Sequence, residues 1–148
     1  MARQYSAQGN IAVGTNKTAL TMVSASTIRP SLFDVVIGCD ATPADQAARF
    51  VIQRFTAAGT VTAVTPEPTD PADPAALATS GSNASVEPTY TAGKILQTIP
   101  LNQRATFRWV ADPLRGYKAP ATAANGLGCQ SVAATGTAAH YANFTWEE

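Results

Sequence analysis

The sequence predicts an all-β protein, an antiparallel β-sandwich or barrel, and three observations lead to that prediction. Short runs rich in β-branched and aromatic residues alternate apolar and polar side chains with the period of a strand. Glycine, proline and asparagine turns separate these runs. No convincing helix pattern is present to supply the crossover helices of a parallel sheet, so parallel α/β folds are excluded. We expect about eight short strands.

The composition suits one domain that spans residues 1–148. Apolar residues make up 45 % of the chain, enough to build a core, and charged residues only 14 %. Ten basic and ten acidic side chains cancel, so the protein has no net field to attract nucleic acid or an anionic membrane. We therefore expect neither as a partner.

The two cysteines indicate a reducing compartment. Cys39 and Cys129 fit neither a metal-binding nor a redox spacing, which favours two small buried thiols; a single disulfide is the alternative. The chain opens on polar sequence without a visible signal peptide, and no apolar run reaches the length of a membrane span. These features predict synthesis in the cytoplasm.

The first half of the chain divides into weak and strong strand patterns. Residues 1–12 show no clear period and are predicted to form an extended N-terminal arm. A short β-prone piece follows at residues 18–23. Two strong strands are predicted at 32–39 and 48–55, the first with Phe33, Val35, Ile37 and Cys39 on one face.

The second half adds strands at residues 61–64, 94–99, 104–111 and 140–147. Residues 117–129 are predicted to be rich in loops, and 112–116 and 135–137 to be turns. In the last strand, one face carries His140, Ala142, Phe144 and Trp146. The predicted core consists of the largest apolar side chains of these strands: Phe50, Phe107, Trp109, Phe144 and Trp146.

Residues 65–85 are predicted to form a projecting loop rich in proline, alanine and serine. Pro68, Pro71 and Pro74 recur at every third residue, the period of a polyproline II helix. At about 3.1 Å per residue, residues 66–74 would reach roughly 25–30 Å. This arm either contacts a basic or aromatic-lined partner or only prevents edge-to-edge aggregation. Glu67, Asp70 and Asp73 recur with the same spacing and would form an acidic stripe along the arm. The candidate partner-contact residues come from this stripe, from the prolines and from the start of the chain: Arg3, Tyr5, Glu67, Pro68, Asp70, Pro71, Asp73 and Pro74.

The sequence offers no pattern of a catalytic or metal site. Catalysis by nucleophile and base most often needs a histidine, and the only one, His140, lies on the apolar face of a predicted strand. A core or edge histidine is the better interpretation. The acidic residues do not cluster around a glycine turn as calcium ligands do. We therefore predict no enzyme, no cofactor and no metal.

A set of short segments between residues 35 and 128 carries a family resemblance. The segments are Ile37-Gly38, Thr42-Pro43-Ala44-Asp45, and residues 52–60, 65–68, 70–76, 87–91, 101–106, 108–111 and 120–126. Together they resemble small virion proteins encoded by tailed bacteriophages. The resemblance implies a head decoration or cement protein, a jelly-roll-like domain that binds the outside of the capsid and bridges neighbouring capsomers.

The resemblance also implies partners and a location. The partners would be the major capsid protein and further copies of the chain, as a trimer or, less favoured, a dimer, on the exterior of the virion.

A second hypothesis is a carbohydrate- or receptor-binding β-sandwich displayed on a virion or tail. Such a site needs exposed aromatic side chains, and the tryptophans fall on core faces. A hydrolase or enzyme-accessory domain is a third hypothesis, opposed by the single histidine.

Overall fold

A computed structural model describes residues 2–12, 16–112, 115–134 and 138–148, apart from the side chains of 133 and 134. The predicted turns at 112–116 and 135–137 fall partly or wholly outside these ranges. Every regular element described is a strand: β1 Gln4–Ile11, β2 Lys17–Val23, β3 Ser31–Asp40, β4 Ala47–Phe55, β5 Thr60–Val64, β6 Glu67–Pro68, β7 Thr79–Val86, β8 Tyr90–Asn102, β9 Phe107–Val110, β10 Tyr117–Lys118, β11 Gly126–Ala134 and β12 Ala139–Glu147.

The strands form two antiparallel sheets that pack face to face, which confirms the predicted β-sandwich. Sheet A has the order β10-β3-β12-β1-β6, and β9 also pairs with β3. Sheet B has the order β5-β7-β2-β11-β4-β8. Neighbours in sequence such as β1 and β2, or β3 and β4, lie in different sheets, so most pairings join distant parts of the chain.

The core lies between the sheets and is built by alternation along the strands. In β12, His140, Ala142, Phe144 and Trp146 all point inward, as predicted. Of the five predicted core aromatics, Phe50, Phe144 and Trp146 are fully buried. Phe107 and Trp109 are only half-buried, because short β9 lies at the margin of sheet A.

A β-bulge changes the predicted faces of β3. The pairing of β12 with β3 shifts between Thr145, opposite Asp34, and Trp146, opposite Leu32, so Phe33 is an extra residue. The extra residue turns Leu32 into the core and leaves Phe33 half-buried. The prediction that Phe33 shares a buried face with Val35 and Ile37 is therefore wrong for Phe33.

The prediction of an N-terminal arm over residues 1–12 is wrong. β1 pairs with β12 along its whole length, from Gln4 opposite Glu147 to Ile11 opposite His140. Its inward positions include Ala7 and Gly9 beside Tyr5 and Ile11, so its apolar period is present but weak. Such a strand becomes recognisable only when β12 supplies a partner, because β preference depends on cross-strand packing.

The cysteines confirm the prediction of free thiols. Cys129 is buried in β11 and Cys39 is half-buried in β3, and neither forms a disulfide. Burial raises the pKa of Cys129 to about 12 and also raises that of Cys39. Both side chains are therefore protonated at neutral pH, and Cys129 contributes to the core as a small apolar group.

Candidate functional site

The proline-rich segment does not project from the sandwich, so the predicted projecting loop over residues 65–85 is wrong. We call residues 65–78 the strap; the remaining residues of the predicted loop belong to β7. Within the strap, β6 pairs with Tyr5 and Ser6 of β1, and the Thr69 N–H donates to the Gln4 carbonyl at 2.9 Å. The Asp73 N–H donates to the Asp70 carbonyl at 3.0 Å, so a turn interrupts any polyproline helix.

The position of the strap explains why it folds back. β12 covers one edge of β1, and the other edge would expose unpaired N–H and C=O groups. The strap covers part of that edge with a two-residue ladder and then turns away. This arrangement agrees with the interpretation of the segment as a device against edge-to-edge aggregation.

A carboxylate at the end of the chain holds the strap in place. The N–H groups of Leu77 and Ala78 each donate to the Glu148 carboxylate at 2.9 Å. The indole Nε1 of Trp146 donates to Glu148 Oε1 at 3.2 Å, which orients the carboxylate. The Glu148 N–H donates to the Arg3 carbonyl at 2.9 Å, so the first and last strands close together beside the strap. Hydrogen bonds to a charged group are stronger than neutral ones.

Two further contacts join the strap to the start of the chain. The Tyr5 hydroxyl donates to the Pro74 carbonyl at 3.0 Å, and Arg3 Nε lies 3.6 Å from Asp73 Oδ1. Burial raises the pKa of Tyr5, and the negative charge of Glu148 raises it further, so the hydroxyl stays protonated and able to donate. The Arg3–Asp73 pair is solvent-exposed and contributes little by itself. We call the strap together with Arg3, Tyr5, Trp146 and Glu148 the strap corner.

All eight predicted partner-contact residues lie at the strap corner, although they come from two distant segments. Arg3, Glu67, Asp70, Pro71 and Pro74 are exposed, and Pro68 and Asp73 are half-buried. Tyr5 is only 1 % exposed, because its ring packs 6.3 Å from that of Trp146. It therefore supports the corner from inside and is not available to a partner.

Leu77 and Glu148 also belong to this corner, and neither was predicted from the sequence. The Leu77 side chain is 58 % exposed and adds apolar surface to this corner. It lies in a run of small residues without any period, so no pattern marked it. Glu148 was missed because its role depends on the strap returning to the end of the chain.

His140 is a core histidine, as predicted. It is fully buried, its Nδ1 lies 2.9 Å from the Ser131 hydroxyl, and its ring packs 5.1 Å from that of Phe50. Its Nε2 is buried without a hydrogen-bond partner among the described residues. Burial lowers the pKa of His140, so the imidazole is neutral in the folded protein.

The buried imidazole predicts a loss of stability in mild acid. Because the folded-state pKa lies below the ordinary value of about 6.5, the unfolded chain binds the proton first. The free energy of unfolding should therefore fall as the pH drops from about 7.5 to about 5.5, a range that brackets that value. Chemical denaturation at a series of pH values measures this, and His140→Gln should flatten the decline. An equally steep decline in the variant would contradict the assignment.

The part of the chain that the structure describes shows neither a metal cluster nor a membrane helix. No group of three or more His, Cys, Asp or Glu side chains in the described ranges is placed to hold a metal ion. Likewise, no helix there is long and apolar enough to cross a bilayer. Comparison of the chain with protein-family models, curated proteins and solved structures gave no match.

Proposed function

We propose that this chain is a decoration or cement protein of a tailed-phage head, which binds the outer capsid surface and bridges neighbouring capsomers. Its partners would be the major capsid protein and further copies of itself, with a trimer favoured over a dimer. The observation that carries the proposal is the strap corner, a stiff non-helical surface anchored on a rigid sandwich. The sequence resemblance over residues 35–128 supplies the class of protein.

The strand order supports a virion protein. We interpret β1-β12-β3-β9 in sheet A and β2-β11-β4-β8 in sheet B as the two four-stranded layers of a jelly roll. Successive strands of this set cross between the sheets at every step except from β4 to β8, which pair with each other in sheet B, as in a jelly roll of two Greek keys. Jelly rolls are common in viral capsid proteins and in lectins, so this interpretation favours a virion or sugar-binding role over many others.

The exposed side of the strap corner is chemically suited to a protein partner. Glu67 and Asp70 are exposed acidic groups, and Pro71, Pro74 and Leu77 add apolar surface beside them. Because the strap is held by hydrogen bonds before any partner arrives, docking would cost little ordering entropy. The complementary surface on the coat protein would be basic and partly apolar.

Attachment to a repeating shell makes modest contacts sufficient. A copy that contacts two capsomers, or that belongs to a bound oligomer, gains avidity without any new contact. The chain has a net charge of zero, so long-range attraction contributes little and local complementarity must provide the affinity. Bridging of this kind would resist separation of the capsomers when packaged DNA presses on the shell.

Cosedimentation with capsids tests the proposal. Expanded heads of the phage that encodes the chain, stripped of it, should bind the purified protein to saturation, and unexpanded heads serve as the comparison. The variant Glu67→Lys/Leu77→Ser should bind at least about tenfold more weakly, because it reverses a charge and removes apolar area. The matched control Asp45→Lys/Ile95→Ser changes an exposed acid beside Asn102 and an apolar residue of similar exposure, 52 % against 58 %, on β8 at the far edge of sheet B.

The outcomes separate the function from the site. Wild-type protein that fails to bind expanded heads contradicts the proposed function. Binding that the corner variant retains, or that the control variant loses equally, contradicts the assignment of the strap corner as the contact surface.

A further inference from the structure

The outer face of sheet A carries a hollow at the position where β3 has a glycine. The hollow has a volume of about 310 Å³, and Gly38 and Val36 form its floor. Gly38 pairs with Tyr141 of β12, which pairs with Asn10 of β1, so one row crosses three strands. We call this hollow the Gly38 groove; its walls are formed by Gln8, Asp40, Thr106, Tyr141 and Asn143.

Tyr141 gives the groove an oriented aromatic wall. Its side chain is 40 % exposed, and Asn10 Nδ2 donates a hydrogen bond to its hydroxyl at 3.1 Å. The hydrogen bond ties the ring to the neighbouring strand, which limits the rotamers it can adopt. An aromatic ring that is held in place yet open to solvent provides a flat apolar surface at small entropic cost.

Side chains with amide, hydroxyl and carboxylate groups line the same groove. Gln8 and Asn143 carry amides, Thr106 carries a hydroxyl and Asp40 a carboxylate, and all four line the groove. Amides and carboxylates each present two atoms in one plane, which can pair with two adjacent hydroxyl groups of a ligand. Among the residues that the structure describes, neither a lysine nor an arginine lines the groove, so it is poorly suited to phosphates.

A second hollow continues the first on the other side of Tyr141. It has a volume of about 250 Å³ and is lined by Gln8, Gly9, Asn10, Ser82 and Tyr141. Tyr141 and Gln8 therefore belong to both hollows, and a ligand longer than one ring can pass across them. Beneath the first hollow, β12 is paired with β3 on one side and with β1 on the other, so an extended peptide would find no free edge of β12 there.

We infer that the Gly38 groove binds a neutral oligosaccharide. The apolar C–H face of one sugar ring stacks on Tyr141, and the amides of Gln8 and Asn143 bind its hydroxyls. This inference goes beyond the proposed attachment to a capsid and does not depend on it. The groove lies toward the end of β1 that carries Gln8 and Asn10, and Gln8 is about 7 Å along the strand from Ser6, which pairs with Glu67 of the strap corner.

A glycan array followed by NMR titration tests the inference. The full chain, fluorescently labelled, is applied to an array of neutral and acidic bacterial-type oligosaccharides, and the strongest neutral binder is titrated into ¹⁵N-labelled protein. We expect amide shifts at Gly38, Tyr141 and Asn143. Tyr141→Ala should weaken binding at least about tenfold, since it removes the stacking surface.

A second variant blocks the groove without removing any polar group. Gly38 has no positive φ, and a Cβ placed there would lie 3.4 Å from the Thr106 hydroxyl. Gly38→Val should therefore fill the Gly38 groove without disturbing the backbone of β3. We expect it to abolish sugar binding with no loss of thermal stability. Leu77→Ser at the strap corner is the matched control and should bind the sugar normally.

The results distinguish this inference from the proposed function. Absence of neutral glycan binding on the array, shifts confined to residues outside the groove, or undiminished binding by Gly38→Val would each overturn the sugar site. None of these results affects head binding, which the strap-corner variants measure separately.

Discussion

Replacing Trp146 by alanine is expected to lower the free energy of unfolding by about 3–5 kcal/mol. Among the described residues, Trp146 is the largest fully buried side chain, and it packs against Tyr5 near the end of the sandwich. The substitution removes the transfer free energy of the indole and leaves a cavity that the two sheets can only partly close. Denaturation in guanidinium chloride measures the loss.

The same substitution should also loosen the strap corner. The indole N–H orients the Glu148 carboxylate, and that carboxylate accepts the N–H groups of Leu77 and Ala78. Hydrogen exchange at these two amides should therefore accelerate more than the global loss of stability explains. Trp146→Phe keeps most of the apolar volume and removes the indole N–H. It therefore tests the hydrogen bonds of Glu148 even if the alanine variant fails to fold.

Trp109→Ala provides the matched control for Trp146. Trp109 is half-buried and stacks on Tyr117 with ring centroids 4.4 Å apart, at the far margin of sheet A. Its removal should cost less, and it should leave the exchange of the Leu77 and Ala78 amides unchanged. A larger loss of stability at Trp109 than at Trp146 would contradict this description of the core.

Gly126→Ala is expected to lower the free energy of unfolding by about 3 kcal/mol or more. A Cβ at this position would overlap the carbonyl oxygen of Met22 and lie 2.6 Å from Phe55 Cζ. The Met22 oxygen belongs to the backbone of β2, which pairs with β11, so it cannot move away by rotation of a side chain. Thermal and chemical denaturation should both show the loss.

Gly38→Ala is the control for Gly126→Ala. A Cβ at position 38 meets nothing closer than the Thr106 hydroxyl at 3.4 Å, so alanine fits. We expect no loss, or a gain of up to about 1 kcal/mol because alanine restricts the unfolded chain. Equal losses at the two positions would show that general loss of glycine, and not the clash in β11, is responsible.

Several features were predictable because they depend on alternation within one strand or on the spacing of a residue type along the chain. β4 and β12 carry large apolar residues at alternate positions, so their extent and the inward face of β12 follow from the sequence. The burial of His140 follows from its place on that face. The free thiols follow from cysteine spacing that suits neither a metal nor a redox pair.

Other features escaped prediction because a partner strand decides them. The first four residues of β11, which include Gly126 and Gly128, fall in the stretch 117–129 that was predicted to be rich in loops. In the structure each glycine makes room for a neighbour: Gly126 for Phe55 and the backbone of Met22, and Gly128 for the Tyr90 ring. The same applies to the bulge at Phe33, which exists only relative to β12.

The amino-acid order alone was therefore enough to specify an antiparallel β-sandwich, because alternation and turn residues act over a few neighbouring positions. The position of the proline-rich segment, against β1, was decided by the tertiary structure. Its period of three predicted a free polyproline arm, whereas hydrogen bonds to Gln4, Tyr5 and Glu148 draw it onto β1. Those partners lie about 70 residues away along the chain, and only folding brings unpaired backbone groups at a sheet edge within reach of a segment that can cover them.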